Sequence, residues 1–260
     1  MISKNKIKLI KSLTQKKYRL KNNLFLAEGN KITREVLNSD FNIHTLICTN
    51  EFIDKTGKNL SNVDEIIVAS QEEVKKASLL KNPQQAMALC KIPDWPFSFD
   101  KISKGLVLCL DGIQDPGNLG TILRIADWFG INAVCASPDT ADIFNPKAIQ
   151  ASMGAFLRVK VYYLGLDGIL KNALKNGIPV FGAFLKGENI YSKNLPSEAL
   201  IVVGNEGQGI SGELGKIIKN RICIPSCKAN SPESLNVSAA TAIICSEFRR
   251  RELKAIQNES

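Results

Sequence analysis

Three stretches of this chain hold residue types that could do chemistry, and each follows an apolar run of strand character. The first, Asp111-Gly112-Ile113-Gln114-Asp115-Pro116-Gly117-Asn118-Leu119-Gly120, leads into a helix that carries Arg124 amid Ile122, Leu123, Ile125 and Ala126. An arginine among apolar neighbours is costly unless it pairs, meets an anion or reaches water along its stem. Asn118 can cap that helix or offer its amide to a ligand. The second stretch, Gly204-Asn205-Glu206-Gly207-Gln208-Gly209-Ile210, is a glycine string whose backbone can approach a ligand closely or simply turn. Its Gly-x-x-Gly-x-Gly spacing is not the dinucleotide fingerprint, and Ser211 opens a helix only after the third glycine, which disfavours a Rossmann phosphate site. The third runs from Ile222 through Ile224-Pro225 and a polar loop to Ser234-Leu235-Asn236-Val237-Ser238. Ser234 can cap the helix that follows, and the small residues Ser238, Ala239, Ala240 and Ala242 suit close packing as well as a binding role.

The elements that must position these loops read as α/β. From Gly105 the pattern is regular: a strand over Leu106–Leu110, a helix over Leu119–Phe129 closed by Gly130, and a strand over Ala133–Ala136. Further strands are predicted at Val159–Tyr163, Val180–Phe184, Leu200–Val203 and Arg221–Ile224. Helices are predicted near 145–154, 166–176, 211–219 and 235–253. Strands this apolar fit a mostly parallel sheet covered on both faces. The earlier part is a smaller α/β module: Ile7, Ile10 and Leu13 at helical spacing, a helix over Glu28–Leu37, strands at Thr45–Cys48, Glu65–Ala69 and Met87–Lys91, and a capping-box start at Ser70-Gln71-Glu72-Glu73. Pro93-Asp94-Trp95-Pro96 breaks the pattern, placing a linker at 93–104 between residues 1–92 and 105–260.

Composition narrows the partner. A formal charge of +9 favours a polyanion, and the amino-terminal end is dense in Lys4, Lys6, Lys8, Lys11, Lys17 and Arg19, with Tyr18 and Phe25 interleaved for stacking. That end is read as RNA-facing. No run of about 18 apolar residues exists and the first residues lack the apolar core of a signal peptide, so a cytoplasmic protein without a membrane segment is expected. Seven cysteines lie mostly in apolar runs, and Cys223 and Cys227 have only His44, far away, for company, so neither disulfides nor a metal site is expected.

Taken together, Asn118-x-Gly120-x-x-x-Arg124-x-Ala126, Gly204-Asn205-Glu206-Gly207-x-Gly209-Ile210, and Ile224-Pro225 followed by Ser234-Leu235-Asn236-Val237-Ser238 resemble the SpoU family, the TrmH-type branch of knotted RNA methyltransferases. The likeness spans roughly 105–250, and residues 1–92 resemble the small L30e-like RNA-binding domain that precedes it in many members. Ala151-Ser152-Met153-Gly154-Ala155 also looks like the family, with Gln150 where arginine is more usual, a departure that touches a peripheral RNA contact. The resemblance implies a trefoil-knotted homodimer that transfers a methyl group from S-adenosylmethionine to a ribose 2′-hydroxyl in structured RNA, with rRNA preferred over tRNA. It implies cofactor contacts at Ala183, Phe184, Gly204, Asn205, Gly207, Ile224 and Leu235. Arg124, Asn118, Glu206, Ser234 and Asn236 would serve the ribose and its phosphate. A guanidinium with a pKa above ~12 is a poor proton acceptor, so Arg124 is expected to hold a phosphate and orient the hydroxyl. Glu206 is expected to pair with Arg124 or to organise the glycine loop. Two other readings stay open: an RNA-binding protein of the same fold without turnover, and a nucleotide-dependent oxidoreductase, which the glycine spacing opposes.

Overall fold

In the computed structural model, which describes residues 1–56, 60, 62–102, 104–131, 133–227 and 234–258, the chain forms two units. One comprises Met1–Asp94 with Asp142–Leu157, the other Trp95–Ala141 with Arg158–Ser260. The polar loop 228–233 of the third sequence stretch lies outside the described residues.

The first unit contains α1 (Lys4–Ser12), α2 (Lys16–Asn22), β1 (Leu24–Glu28), α3 (Asn30–Leu37), β2 (Ile43–Cys48), α4 (Asn50–Thr56), β3 (Ile66–Val68), α5 (Gln71–Ala77) and β4 (Ala86–Lys91). Its sheet has the order β1-β4-β2-β3, with β4 antiparallel to both β1 and β2 and β3 parallel to β2. The capping box forms as expected, with Ser70 and Glu73 satisfying each other's backbone N–H groups at the start of α5. β1, α2 and α4 were not expected. The run Leu24-Phe25-Leu26-Ala27 is wholly apolar because it is buried on both faces, and such a run has no period to separate strand from helix. Leu24 and Leu26 join Ile10, Leu13, Val74 and Met87 in one cluster. Phe25, between them, stacks on Phe144 at 4.5 Å and meets Phe156 edge-on at 5.9 Å.

The second unit begins with α6 (Phe99–Ile102), a short helix where only linker was expected, and continues through β5 (Leu106–Asp111), α7 (Pro116–Trp128) and β6 (Ala133–Ala136). After α8 (Pro146–Ser152), which belongs to the first unit, come β7 (Lys160–Tyr163), α9 (Leu166–Lys175), β8 (Val180–Asn189), β9 (Ala199–Gly204), α10 (Gly212–Ile217), β10 (Asn220–Cys223) and α11 (Val237–Asn258). The six strands take the order β10-β8-β9-β5-β6-β7, and every pairing is parallel. The α/β reading with a parallel sheet therefore holds. All six strands run the same way, so the turns that leave their carboxyl ends gather along one rim.

Residues 142–157 leave the second unit and pack with the first. The cause is specific. Arg19, 1% exposed, donates through Nε (2.9 Å) and Nη2 (2.6 Å) to Asp142 and through Nη1 to the carbonyls of Leu13 and Thr14. Arg19 is thus spent inside the fold and is no part of an RNA-facing surface. Gln150, standing where arginine is more usual, donates to the Glu28 carbonyl at 2.6 Å and so ties α8 to β1.

Candidate active site

The first site element is the entry to α7. Asp115, followed by Pro116, is the N-cap, and its carboxylate accepts from the Asn118 N–H at 2.9 Å. Capping therefore falls to Asp115 rather than Asn118, which leaves the Asn118 carboxamide free for other work. Its Nδ2 donates to Glu206 Oε1 at 2.8 Å, and its Oδ1 accepts from Asn236 Nδ2 at 3.1 Å and from Ser238 Oγ at 3.3 Å. The orientation follows from chemistry: an ionised carboxylate only accepts, so the amide nitrogen faces Glu206 and the oxygen faces the donors.

Asn236 holds its own place by capping α11, its Oδ1 accepting from the N–H groups of Ser238 (2.9 Å) and Ala239 (3.3 Å). Ser234, the residue expected to cap, is exposed and has no hydrogen-bond partner among the described residues. Ser238, buried and donating also to the Asn118 carbonyl at 3.2 Å, belongs to the cluster although it is absent from the expected site residues. Its signal was its place two positions after Asn236, on the first turn of the same helix.

The glycine loop is stapled to the end of β5. Asn205 Nδ2 donates to the Gly112 carbonyl (2.7 Å), while its Oδ1 accepts from Gly207 N–H (2.9 Å) and Gln208 N–H (3.0 Å). Asp111 accepts from the Ser211 N–H at 2.7 Å, so Ser211 stands at the start of α10 without capping it through its hydroxyl. Gly209, at φ +71°, turns the loop back over Gly204, where an added Cβ would lie 2.2 Å from the Gly209 carbonyl carbon and the Ile210 nitrogen. Only glycine fits there. The polar groups of Asn205 and the N–H of Gly207 are consumed in shaping this loop.

The remaining residues lie along the same rim. β8 last pairs with β9 at Gly182, so Ala183 and Phe184 stand where the strand departs. The Phe184 ring lies 4.7 Å from the Arg221 guanidinium. Ile224 follows β10 half-buried, and Leu235, just before α11, is 52% exposed. Glu206 bonds to Asn118 rather than to Arg124. Arg124 is exposed and pairs with nothing among the described residues. Six residues after Asn118, it sits roughly 9 Å further along α7 and about 120° around it, so the helix does not bring it to the Asn118 cluster.

Burial pushes the Cys48 thiol up to about 11 and the Cys245 thiol to about 12, and holds Cys90 well above its ordinary value, so these are packing groups rather than thiolates. Among the described residues no group of three or more His, Cys, Asp or Glu could hold a metal, and no helix is long and apolar enough to cross a membrane.

Comparison with known proteins adds to this geometry. Residues 105–246 match the SpoU rRNA Methylase family, and residues 4–88 match the MRM3-like substrate binding domain. The chain is 31% identical over 246 residues to the 23S rRNA (guanosine(2553)-2′-O)-methyltransferase RlmP of Bacillus subtilis, covering 94% of this chain and 96% of that protein. Among solved structures it is similar to a TrmH-family protein from Porphyromonas gingivalis (42% identical, TM-score 0.87, covering 96% of this chain and 99% of that one). It is also similar to the AdoMet-bound rRNA methyltransferase from Sinorhizobium meliloti (25% identical, TM-score 0.82, covering 96% and 97%).

Proposed function

Because the chain belongs to the SpoU rRNA methylase family, we propose that its second unit transfers a methyl group from S-adenosylmethionine to a ribose 2′-hydroxyl of ribosomal RNA. One observation carries this reading. Asn118, Glu206 and Asn236, from three stretches far apart in sequence, form a single hydrogen-bonded cluster at the carboxyl rim of a parallel sheet. The residues beside it suit the cofactor. Leu235, half-exposed, and Ile224 offer apolar surface without a competing charge, and the Gly204 backbone lies at the strand end. We assign the cofactor contacts to Gly204, Ile224 and Leu235, with Ala183 and Phe184 close by and Asn205 and Gly207 shaping the loop.

When bound, S-adenosylmethionine supplies a methyl group on a sulfonium, an already activated leaving group. The protein's task is then to fix the hydroxyl and keep water away from it. Asn118 retains one amide hydrogen after donating to Glu206, and this can be donated to the ribose or its phosphate. Glu206 fixes that amide and leaves its second oxygen unpaired among the described residues, an acceptor for the hydroxyl proton or for the sugar. Ser234 and Asn236 border the same edge. We assign Arg124, exposed further along α7, to a neighbouring phosphate rather than to the hydroxyl itself.

Residues 1–92 serve as the RNA-binding part in this reading, with 93–104 linking them to 105–260. The net charge of +9 and the lysines of α1 support it. The named target of the Bacillus relative supports large-subunit rRNA over tRNA. A homodimer is proposed as well, with Trp128, four residues after Arg124 on the same strip of α7 and 85% exposed, as a side chain that a second copy would cover. The trefoil knot and a cytoplasmic location complete the proposal. Incubating the protein with labelled S-adenosylmethionine and separately with total rRNA and total tRNA tests the assignment. Label in rRNA riboses is expected, and label confined to tRNA or to bases would overturn it.

A further inference from the structure

Three strand-to-helix turns of the first unit, Gly29–Asn30 after β1, Thr49–Asn50 after β2 and Ala69–Ser70 after β3, reach one edge of the sheet because these strands run parallel. β4 runs the other way, so the residues that lead into it, Gln84 and Gln85, arrive at the same edge. Together they line an open groove of 550 Å³, within the range of about 300–1,000 Å³ that holds small organic groups.

The lining is unusual for a protein of charge +9: five carboxamides, one carboxylate and no lysine or arginine. The carboxylate, Glu51, is already held by Lys55 at 2.6 Å and by the Gln85 amide at 2.6 Å. A cleft without a cation is not built for phosphate. The amides divide into two sets. Asn30 and Gln85 build the wall, exchanging bonds of 3.2 and 2.9 Å. The others face inward with capacity to spare. Gln84 Oε1 takes the Asn30 N–H at 2.6 Å and leaves its amino group open. Gln71 spends its amino group on the Gln84 carbonyl at 3.4 Å and leaves its oxygen open. Asn50 bonds to nothing among the described residues. Pro83 adds an apolar ring face to the wall.

Open donors and acceptors beside a flat apolar surface match the edge and face of a heterocyclic base. Proteins read RNA sequence by splaying out unpaired bases and bonding to their edges, and asparagine and glutamine pair with such edges through two bonds at once. We propose that this cleft receives one unpaired nucleobase of the RNA substrate and reads its edge through Gln84, Gln71 and Asn50. The proposal rests on the RNA-methylation reading above and gives the first unit two separate contributions. The lysines of α1 supply salt-dependent affinity, and the amide cleft supplies base preference.

The test uses the full chain and a pool of RNA hairpins with randomised loops, sequenced before and after capture. Asn50→Ala/Gln71→Ala removes two of the three inward groups, leaves Gln84 on the Asn30 N–H and leaves the wall bonds of Asn30 and Gln85 intact, and its melting temperature is read alongside to confirm folding. The wild type is expected to enrich one base about tenfold at one loop position. The double variant should lose that preference while keeping the same slope of log affinity against log salt. Lys8→Ala/Lys11→Ala should do the reverse, flattening the slope and keeping the preference. A wild type without base preference, or a folded Asn50→Ala/Gln71→Ala variant that retains it, overturns the cleft assignment alone. A wild type that captures no hairpin at low salt overturns the RNA-methylation reading with it.

Discussion

Asn118 and Glu206, 88 residues apart in sequence, meet through a 2.8 Å hydrogen bond from carboxamide to carboxylate. That bond fixes which way the amide points, and so decides that its oxygen accepts from Asn236 and Ser238. One side chain thereby joins the start of α7, the glycine loop and the start of α11.

Removing this hub should cost turnover more than binding. Asn118→Ala deletes the bonds to Glu206 and Asn236 together, and displacing a reacting group by about 1 Å can cost ~10²-fold in rate. A drop of about that size in kcat is expected, with S-adenosylmethionine affinity changed only a few-fold. Single-turnover methyl transfer and calorimetric titration separate the two, and unchanged kcat would remove Asn118 from its assigned place.

Gly204→Ala should act in the opposite sense. The added methyl would lie 2.2 Å from loop backbone, which cannot rotate aside as a side chain could, so the loop must lift off the strand end. Loss of S-adenosylhomocysteine-induced thermal stabilisation is expected in this variant. A shift equal to that of the wild type would mean the loop is not part of the cofactor site.

Arg124 is expected to matter for RNA and for transfer but not for the cofactor. Arg124→Ala should abolish methyl transfer with cofactor affinity nearly intact. Arg124→Lys should restore part of the RNA affinity, because a charge alone attracts a phosphate, and little of the rate, because a bidentate grip is lost. Normal turnover in the alanine variant would refute the role.

Much of this was legible in the sequence, for a physical reason. The strands of the parallel sheet are continuous apolar runs bounded by turns, so β5, β6 and β9 fall within a residue of where the pattern put them. Asp115-Pro116 carries a helix-start signature of its own, yet the neighbouring Asn118 drew the reading because it belonged to the motif. Other features depend on contacts between distant residues, which periodicity cannot reveal. Arg19 looked like one more basic residue until Asp142, 123 positions later, closed on it. Phe144 and Phe156 sat inside the catalytic stretch of sequence, and only the ring of Phe25 shows that they pack with the first unit. This has a practical consequence: deleting residues 1–92 would strip those rings of their packing, so lysine substitutions are the cleaner test of RNA binding.

Glu28 gives the first unit a pH signature. Burial raises its carboxyl above the ordinary glutamate value despite bonds from Ser78 Oγ and the Leu79 N–H. A raised folded-state value means protonation favours the folded chain, so its contribution is fully present below the unfolded value and is lost as pH rises through the folded one. Compared with non-titrating Glu28→Gln, the wild type should gain stability as pH falls from neutrality toward the ordinary glutamate value. Urea unfolding of both proteins across that range checks the sign, and a difference that stays constant or moves the other way would exclude a buried, titrating Glu28.

The most direct measurement is a map of 2′-O-methylated nucleotides, at single-nucleotide resolution, in ribosomal and transfer RNA from cells with and without this protein. The expected result is one ribose methylation in 23S rRNA that disappears with the protein, returns with the wild-type gene and does not return with Arg124→Ala or Asn118→Ala. Identical maps in both cells, or a lost methyl group on a base rather than a ribose, would contradict it.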